Sequence, residues 1–360
     1  MAIITGFPGS NPRLVGTADA DEIYGNSLGN VSGIAGNDRI FGLAGDDLIT
    51  GDGVNILASG RGGNDLIQGG DGDDVIYGDA SDTLYGIGGN DTLYQNAGAG
   101  GFADITGDAE TMATGSRGGN DKLYGGGTLI GDAFFDVTSV LLGNDLVNAR
   151  SSTSDSSLYG DVGVADLRGT AKGGLDILDG SNFDDAIYGD AGGDLDNSSV
   201  GGKDTLRGYA GDDTLYGDGD GLLQAARGGN DLLRGGAGDD TLYGDAATLA
   251  DLSDGGNDRI YGEAGNDEIW GDGELLDDAT GGKDKFFFSG SFGDDQILDF
   301  RAEDGDQIIL QGLTQLDVQL SIVTVVNPND STLITTLGDD SITLVGFTGG
   351  LTPGVDIVFA

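Results

Sequence analysis

Eighteen aspartates recur at one place in a glycine-rich turn, and each stands two residues before an apolar side chain. The clearest copy is Gly235-Gly236-Ala237-Gly238-Asp239-Asp240-Thr241-Leu242-Tyr243, with Asp240 at the sixth place and Leu242 at the eighth. The same offset joins Asp21 to Ile23, Asp38 to Ile40, Asp47 to Ile49, Asp65 to Ile67 and Asp74 to Ile76. Further copies put Asp82, Asp91, Asp121, Asp145, Asp176, Asp185, Asp204, Asp213, Asp231, Asp258, Asp267 and Asp284 at that place. The chain has no cysteine and no histidine, which removes disulfides, thiolate and imidazole metal ligands, cysteine nucleophiles and the usual general base. What remains is oxygen-donor chemistry. Calcium takes six to eight oxygens at roughly 2.3 to 2.6 Å, and turns stacked about 4.8 Å apart let one ion draw carboxylate and carbonyl oxygens from two of them. Without a cation, the stacked aspartates form a column of like charges. A single Asp-rich glycine turn reads as plain turn chemistry; eighteen in register point to calcium.

The elements that hold these carboxylates follow from the rest of the unit. Glycines let the backbone take left-handed or cramped conformations, and Leu242 between Thr241 and Tyr243 suits a very short strand with one side chain facing in. Nine residues cannot bury that leucine alone, whereas stacked copies can. Composition agrees. With 72 glycines in 360 residues and a formal charge of −46, the chain repels itself, yet its apolar residues are evenly spaced and allow a linear core once cations neutralise the acids. Nucleic acid is a poor partner for this charge, and no apolar run reaches membrane-spanning length. The start, Met1 to Thr5, lacks a basic region followed by an apolar core, so no cleaved N-terminal signal is expected.

A longer period overlies the nine. Asp204, Asp231, Asp258 and Asp284 are 27, 27 and 26 apart, and Asp213, Asp240 and Asp267 each follow nine later. Two regular turns are followed by a looser third element opening with Gly217-Asp218, Gly244-Asp245 or Gly271-Asp272, which reads as an inserted loop. An 18-residue, two-sided coil with loops on one edge and a 27-residue, three-sided coil both fit. Residues 95 to 170 are degenerate: Gly125-Gly126-Gly127-Thr128-Leu129-Ile130 loses the aspartate and Ser156 replaces it, so weaker or missing metal sites and a bend are expected there. Three domains are expected. Residues 1–15 form a lead-in whose Ile3, Ile4, Phe7 and Val15 cover the open end. Residues 16–288 form the repeat stack, and 289–360 a C-terminal β cap with strands near 316 to 326, 332 to 337 and 341 to 347, the first two joined by a turn at Asn327-Pro328-Asn329-Asp330.

The GGxGxDxUx pattern, met at every place by Gly235 to Tyr243 and Gly69 to Tyr77, resembles the repeats-in-toxin (RTX) calcium-binding family across about residues 16 to 288. That resemblance implies an all-β, parallel β-roll in which carbonyls of the first four turn residues and the sixth-place carboxylate hold calcium. Carried over residue by residue, Gly235, Gly236, Ala237 and Gly238 would act with Asp240, Gly69, Gly70, Asp71 and Gly72 with Asp74, and Gly208, Ala210 and Gly211 with Asp213. Gly33, Ala35 and Gly36 would serve beside Asp38, Gly42, Ala44 and Gly45 beside Asp47, and Gly262, Ala264 and Gly265 beside Asp267. Gly60, Gly62 and Gly63 fall with Asp65, and Gly86, Gly88 and Gly89 with Asp91. Shorter sets pair Gly118 and Gly119 with Asp121, Gly173 and Gly174 with Asp176, Gly201 and Gly202 with Asp204, and Gly228 and Gly229 with Asp231. Gly255 and Gly256 go with Asp258, Gly281 and Gly282 with Asp284, and Gly180 with Asp185; Asp21, Asp82 and Asp145 stand as carboxylates alone. Three turns depart from the pattern. Phe183 replaces the fourth-place glycine before Asp185, Asp19 does so before Asp21, and the turn of Asp82 is one residue short.

Asp295 to Phe300 and Gly305 to Leu310 look like the cap that follows the roll in RTX proteases. The end, Asp356-Ile357-Val358-Phe359-Ala360, resembles the acidic-then-apolar tail of type I secretion substrates and equally fits an ordinary last strand. Tyr188, Tyr216, Tyr243 and Trp270 are 28, 27 and 27 apart and are expected to form a ladder on one face, either simply covering strands or offering flat rings to sugars. Arg207 and Arg234 would meet an acidic polysaccharide or relieve local negative charge. The expected function is a non-enzymatic, secreted, extracellular calcium-binding rod that folds on calcium and serves matrix, surface-layer or adhesion work. Calcium, an extracellular polysaccharide or cell-surface partner, and self-association are the expected contacts. An enzyme-associated roll is the rival class, although no non-repeat segment is long enough to be a catalytic domain.

Overall fold

The computed structural model describes residues 1–7, 9, 12–95, 103–135, 137–312, 318–321, 332–336, 340–347, 351 and 354–360. Each nonapeptide places three residues in an extended segment with the middle side chain turned inward: Leu242 is fully buried while Thr241 and Tyr243 are half-covered. A strand that short is stable only beside its copies, and every copy pairs parallel with the next.

The register settles the coil. Leu206 pairs with Leu233, Leu215 with Leu242 and Leu222 with Leu249, each 27 residues on. The protein is therefore a three-sided β-solenoid with a coil of about that length; the two-sided, 18-residue alternative is not adopted. Among the described residues, strands such as Thr205–Ala210 and Leu232–Ala237 form a first face of 13 strands, and Thr214–Tyr216 and Thr241–Tyr243 belong to a second face of 15. A third face, among the same described residues, is split into sheets of four and six strands and includes Gly219–Leu222 and Ala246–Leu249.

That third face corrects the inserted-loop reading. Leu195, Leu222, Ala226 and Leu249 are fully buried in an apolar spine of their own, separate from the main spine that holds Leu206, Leu215, Leu233 and Leu242. Burial of these side chains is what draws the variable element into a strand. In the degenerate region the coil changes length, with equivalent aspartates 24 and 31 residues apart, yet stacking continues through it.

At the N-terminus, Ile3–Thr5 and Arg13–Val15 are the first strands of the second and first faces. Of the residues expected to cover the open end, Ile4 packs on the spine while Ile3, Phe7 and Val15 are exposed; Leu14 is the buried side chain there. At the other end the coil runs past residue 288. Asp294–Ile297 and Gln307–Gln311 extend the second and first faces in parallel, and antiparallel pairing begins only at Val318–Ser321, Thr332–Thr336 and Ser341–Leu344. The expected turn at 327–330 lies outside the described residues. Ile357–Phe359 closes the first face, pairing parallel with Gln307–Gln311, and Ile357 is buried.

Candidate metal centre

The chain turns three corners in each coil, and every corner carries a column of aspartates. At the first corner the backbone N–H of Asp204 donates to Asp231 Oδ1 at 2.7 Å, that of Asp231 to Asp258 at 2.7 Å, and that of Asp258 to Asp284 at 2.9 Å. The same bond links Asp38 to Asp65, Asp65 to Asp91, Asp91 to Asp121, Asp121 to Asp145, Asp145 to Asp176 and Asp176 to Asp204, so this column is unbroken. The second corner holds Asp21, Asp47 and Asp74, then, after a gap filled in part by Ser156, Asp185, Asp213, Asp240, Asp267 and Asp295.

In these regular turns only one carboxylate oxygen is used. Oδ2 of Asp47, Asp213, Asp240 and Asp267 is buried without any hydrogen-bond partner, and so is Oδ2 of Asp65, Asp204, Asp231 and Asp258 at the first corner, whereas in the turn of Asp74 the Gln95 amide reaches in and donates to the Gly70 and Gly72 carbonyls. The glycines keep that oxygen clear: a Cβ at Gly208, Gly235 or Gly262 would lie 2.2, 2.2 and 2.1 Å from Oδ2 of Asp213, Asp240 and Asp267. The departures show the converse. Without a fourth-place glycine, Asp185 Oδ2 accepts the Ser181 N–H and Asp21 Oδ2 the Thr17 N–H at 2.7 Å, so neither carboxylate has a free oxygen. The third-place carbonyls of Asp71, Ala237 and Ala264 accept N–H groups of Gly45, Gly211 and Gly238 on the neighbouring coil, each keeping one lone pair.

The third corner was missed by the sequence reading. Asp52, Asp79, Asp108, Asp132, Asp161, Asp190, Asp218 and Asp245 are fully buried, where a loop entrance would have left them wet. They sit at the neck between the two apolar spines, reaching across to the double glycine of the first corner: Gly63 N–H donates to Asp52 Oδ2 at 2.8 Å and Gly256 N–H to Asp245 Oδ1 at 2.7 Å. Hence Gly62, Gly88, Gly118, Gly173, Gly201 and Gly228 bear no Cβ; at Gly118 or Gly228 one would lie 1.8 Å from Asp132 or Asp245 Oδ1. The signal lay in the constant Gly-Asp pair, visible as Gly51-Asp52 and Gly78-Asp79 as much as Gly244-Asp245. It also explains Asp82, which is exposed within the third-face strand Ala80–Leu84, while Asp79 takes the corner.

First- and third-corner acids meet. Asp38, Asp52 and Asp65, then Asp108, Asp121 and Asp132, then Asp132, Asp145 and Asp161 each bring ligand oxygens within 4.8 Å of one another. Two of these triads lie in the degenerate region, where the loss of acids is confined to the second corner. Burial pushes these groups toward the protonated form: Asp218 is raised by desolvation and then by Asp231 and Asp245. In the second column desolvation lifts Asp213 to about 7 and Asp240 to about 8. Buried acids of this kind, with orphaned oxygens and space cleared by glycine, fit a hard divalent cation: it would satisfy the free lone pairs and remove the cost of the buried charge.

Elsewhere, Tyr159, Tyr188, Tyr216, Tyr243 and Trp270 stack with ring centroids 5.2, 4.7, 4.9 and 4.5 Å apart. Arg207 pairs with Asp179 at 2.8 Å and Arg234 with Glu263 at 2.7 Å. Among the described residues no helix is long and apolar enough to cross a membrane.

Comparison with known families matches the RTX calcium-binding nonapeptide repeat (4 copies) to residues 32–62, 57–80, 79–100, 199–220, 225–247 and 253–274. Comparison with curated proteins finds no match. The matched stretches bracket residues 101–198, the part in which the second corner lacks an aspartate until Asp185. The chain thus carries RTX calcium-binding nonapeptide repeats in those stretches, wound here into a three-sided β-solenoid.

Proposed function

We propose that the protein is a secreted, non-enzymatic rod that folds when it meets calcium outside the cell. The observation that carries this is the row of buried second-corner carboxylates with one unpartnered oxygen each, Asp213, Asp240 and Asp267 among them. In a low-calcium cytoplasm the columns repel and the chain stays unfolded; at extracellular calcium, binding to the folded state alone stabilises it. Affinities on the order of 10⁻⁴ to 10⁻³ M suit such a switch. Export by a type I system accords with that order of events. A matrix, surface-layer or adhesion role follows from an elongated, strongly acidic body. Calcium titration followed by circular dichroism, with reversal by chelator, tests this: strand signal should appear with calcium and poorly with magnesium. A thoroughly demetallated chain that is already strand-rich and takes up no ions would overturn it.

A second reading, polysaccharide binding, is favoured by one observation. The aromatic rings spend their faces on one another, but the ladder ends at Trp270, which lines a cleft with Leu275, Phe300, Arg301 and Phe347. A glycan array with and without calcium, repeated on Trp270→Ala, separates a sugar-binding module from a passive spacer.

A further inference from the structure

The neck between the two spines gathers equal charge from its two sides, one carboxylate from the first corner and one from the third, as with Asp121 and Asp132 or Asp145 and Asp161. These groups are at most 3% exposed. The triads are continuous, because Asp132 belongs both to the group with Asp108 and Asp121 and to the group with Asp145 and Asp161. Independently of this clustering, Oδ2 of Asp121 and Asp145 is buried without a hydrogen-bond partner, and the carboxyl groups of Asp108, Asp132 and Asp161 face one another along the column, each with a glycine N–H besides. An ionised oxygen in that state is costly, so positive charge must enter the neck as protons or as cations. Toward the C-terminus the column meets a cation of the chain itself: Arg301 Nη1 lies 3.2 Å from Asp272 Oδ2.

We propose that the neck holds an inner row of calcium ions, one per coil, bound between first- and third-corner carboxylates and bridged by shared aspartates such as Asp132. This rests on the calcium reading above but concerns a different place from the second-corner turns. One divalent ion balances the two carboxylates of each coil. Calcium suits the neck better than magnesium, because its carboxylates are cut off from bulk solvent, and magnesium keeps several waters and demands octahedral geometry whereas calcium tolerates six to eight irregular oxygens. The inner row crosses the middle coils, where the second corner has no aspartate, and there it is the row of carboxylate-bound ions that remains beside the two apolar spines.

The test uses the full chain, with terbium as the calcium probe and its luminescence decay compared in H2O and D2O. The native protein is expected to show a class of bound terbium with no coordinated water. The variant D108N/D132N/D161N should lose part of that class and, after equilibrium dialysis, about one to two calcium ions per chain, since two carboxylates balance one ion. The second-corner variant D213N/D240N/D267N should keep the dry class. A native chain that binds calcium but has no dry terbium class overturns the inner row and leaves the calcium-dependent fold standing, and this measurement decides even where the triple variant fails to fold. An undiminished calcium count in a folded D108N/D132N/D161N likewise overturns it, leaving protons as the neutralising charge. A native chain that binds no calcium at all overturns the function proposed above together with this row.

Discussion

The backbone N–H of Asp213 donates to Asp240 Oδ1 at 2.8 Å, while the other oxygen of the same carboxylate has no partner in its buried position. One side chain therefore has two separable tasks: Oδ1 ties a coil to its neighbour, and Oδ2 is left for a cation. Asp240→Asn keeps an amide oxygen for the first task and abolishes the second. We expect the calcium midpoint for folding to rise roughly tenfold, about 1.4 kcal/mol, with the ion-free chain no less stable. Asp240→Ala removes both and should cost about 1 to 3 kcal/mol with or without calcium. Denaturant unfolding of both variants, in calcium and in chelator, distinguishes the two tasks.

How much of this was legible beforehand differs by corner. The Asp-x-Leu offset announced the first and second columns, because a carboxylate beside a short buried strand leaves a mark every nine residues. The third column left a mark as well, Gly-Asp at the same 27-residue period, but Asp218 is followed by variable residues that look like a solvated loop. Whether its side chain turns inward depends on Leu222 and Leu249 finding a second spine, a property of stacked coils that no single repeat contains. Asp82 shows the same limit from the other side. It meets the local motif better than Asp79 does, yet the coil takes Asp79 to the corner because Gly78-Asp79 stacks on Gly51-Asp52, with the Asp52 N–H bonded to the Asp79 carbonyl at 3.1 Å.

Glycine at the first place of the turn is needed for space. A Cβ at Gly235 would stand 2.2 Å from Asp240 Oδ2, whereas one at Gly29 meets nothing within 4 Å. Gly235→Ala should destabilise the calcium-bound protein by about 1 to 3 kcal/mol and raise its calcium midpoint, as forced shifts in packed sites do. Gly29→Ala should change neither. Parallel calcium titrations of the two variants check this, and equal behaviour would count against the cradle.

Each spine should carry weight of its own. Leu242 and Leu249 are fully buried on opposite sides of the neck, one in each apolar cluster. Truncation of either to alanine leaves a cavity and should cost about 2 to 5 kcal/mol in saturating calcium. If the third element were an inserted loop, Leu249→Ala would instead be close to neutral. Thermal or denaturant unfolding at fixed calcium separates the outcomes.

Acidity should partly replace calcium. Desolvation holds Asp213 at about 7 and Asp240 at about 8 in the folded chain, against about 3.9 for an unfolded aspartate. Between those values the folded state binds more protons than the unfolded one, so its stability without ions falls as pH rises. The penalty is complete above about pH 8, shrinks as pH drops through the folded values, and is gone near pH 4. Demetallated protein should therefore gain strand content on acidification from pH 8 toward pH 5. Calcium must displace the same protons, so its apparent affinity should weaken over that range and its binding at pH 7 should release acid into unbuffered solution. Circular dichroism of the ion-free chain against pH, paired with proton release on calcium addition, tests both halves. A flat response between pH 8 and pH 5, with no proton release, would mean that these carboxylates are solvated and that nothing in the columns has to be neutralised for the coils to stack.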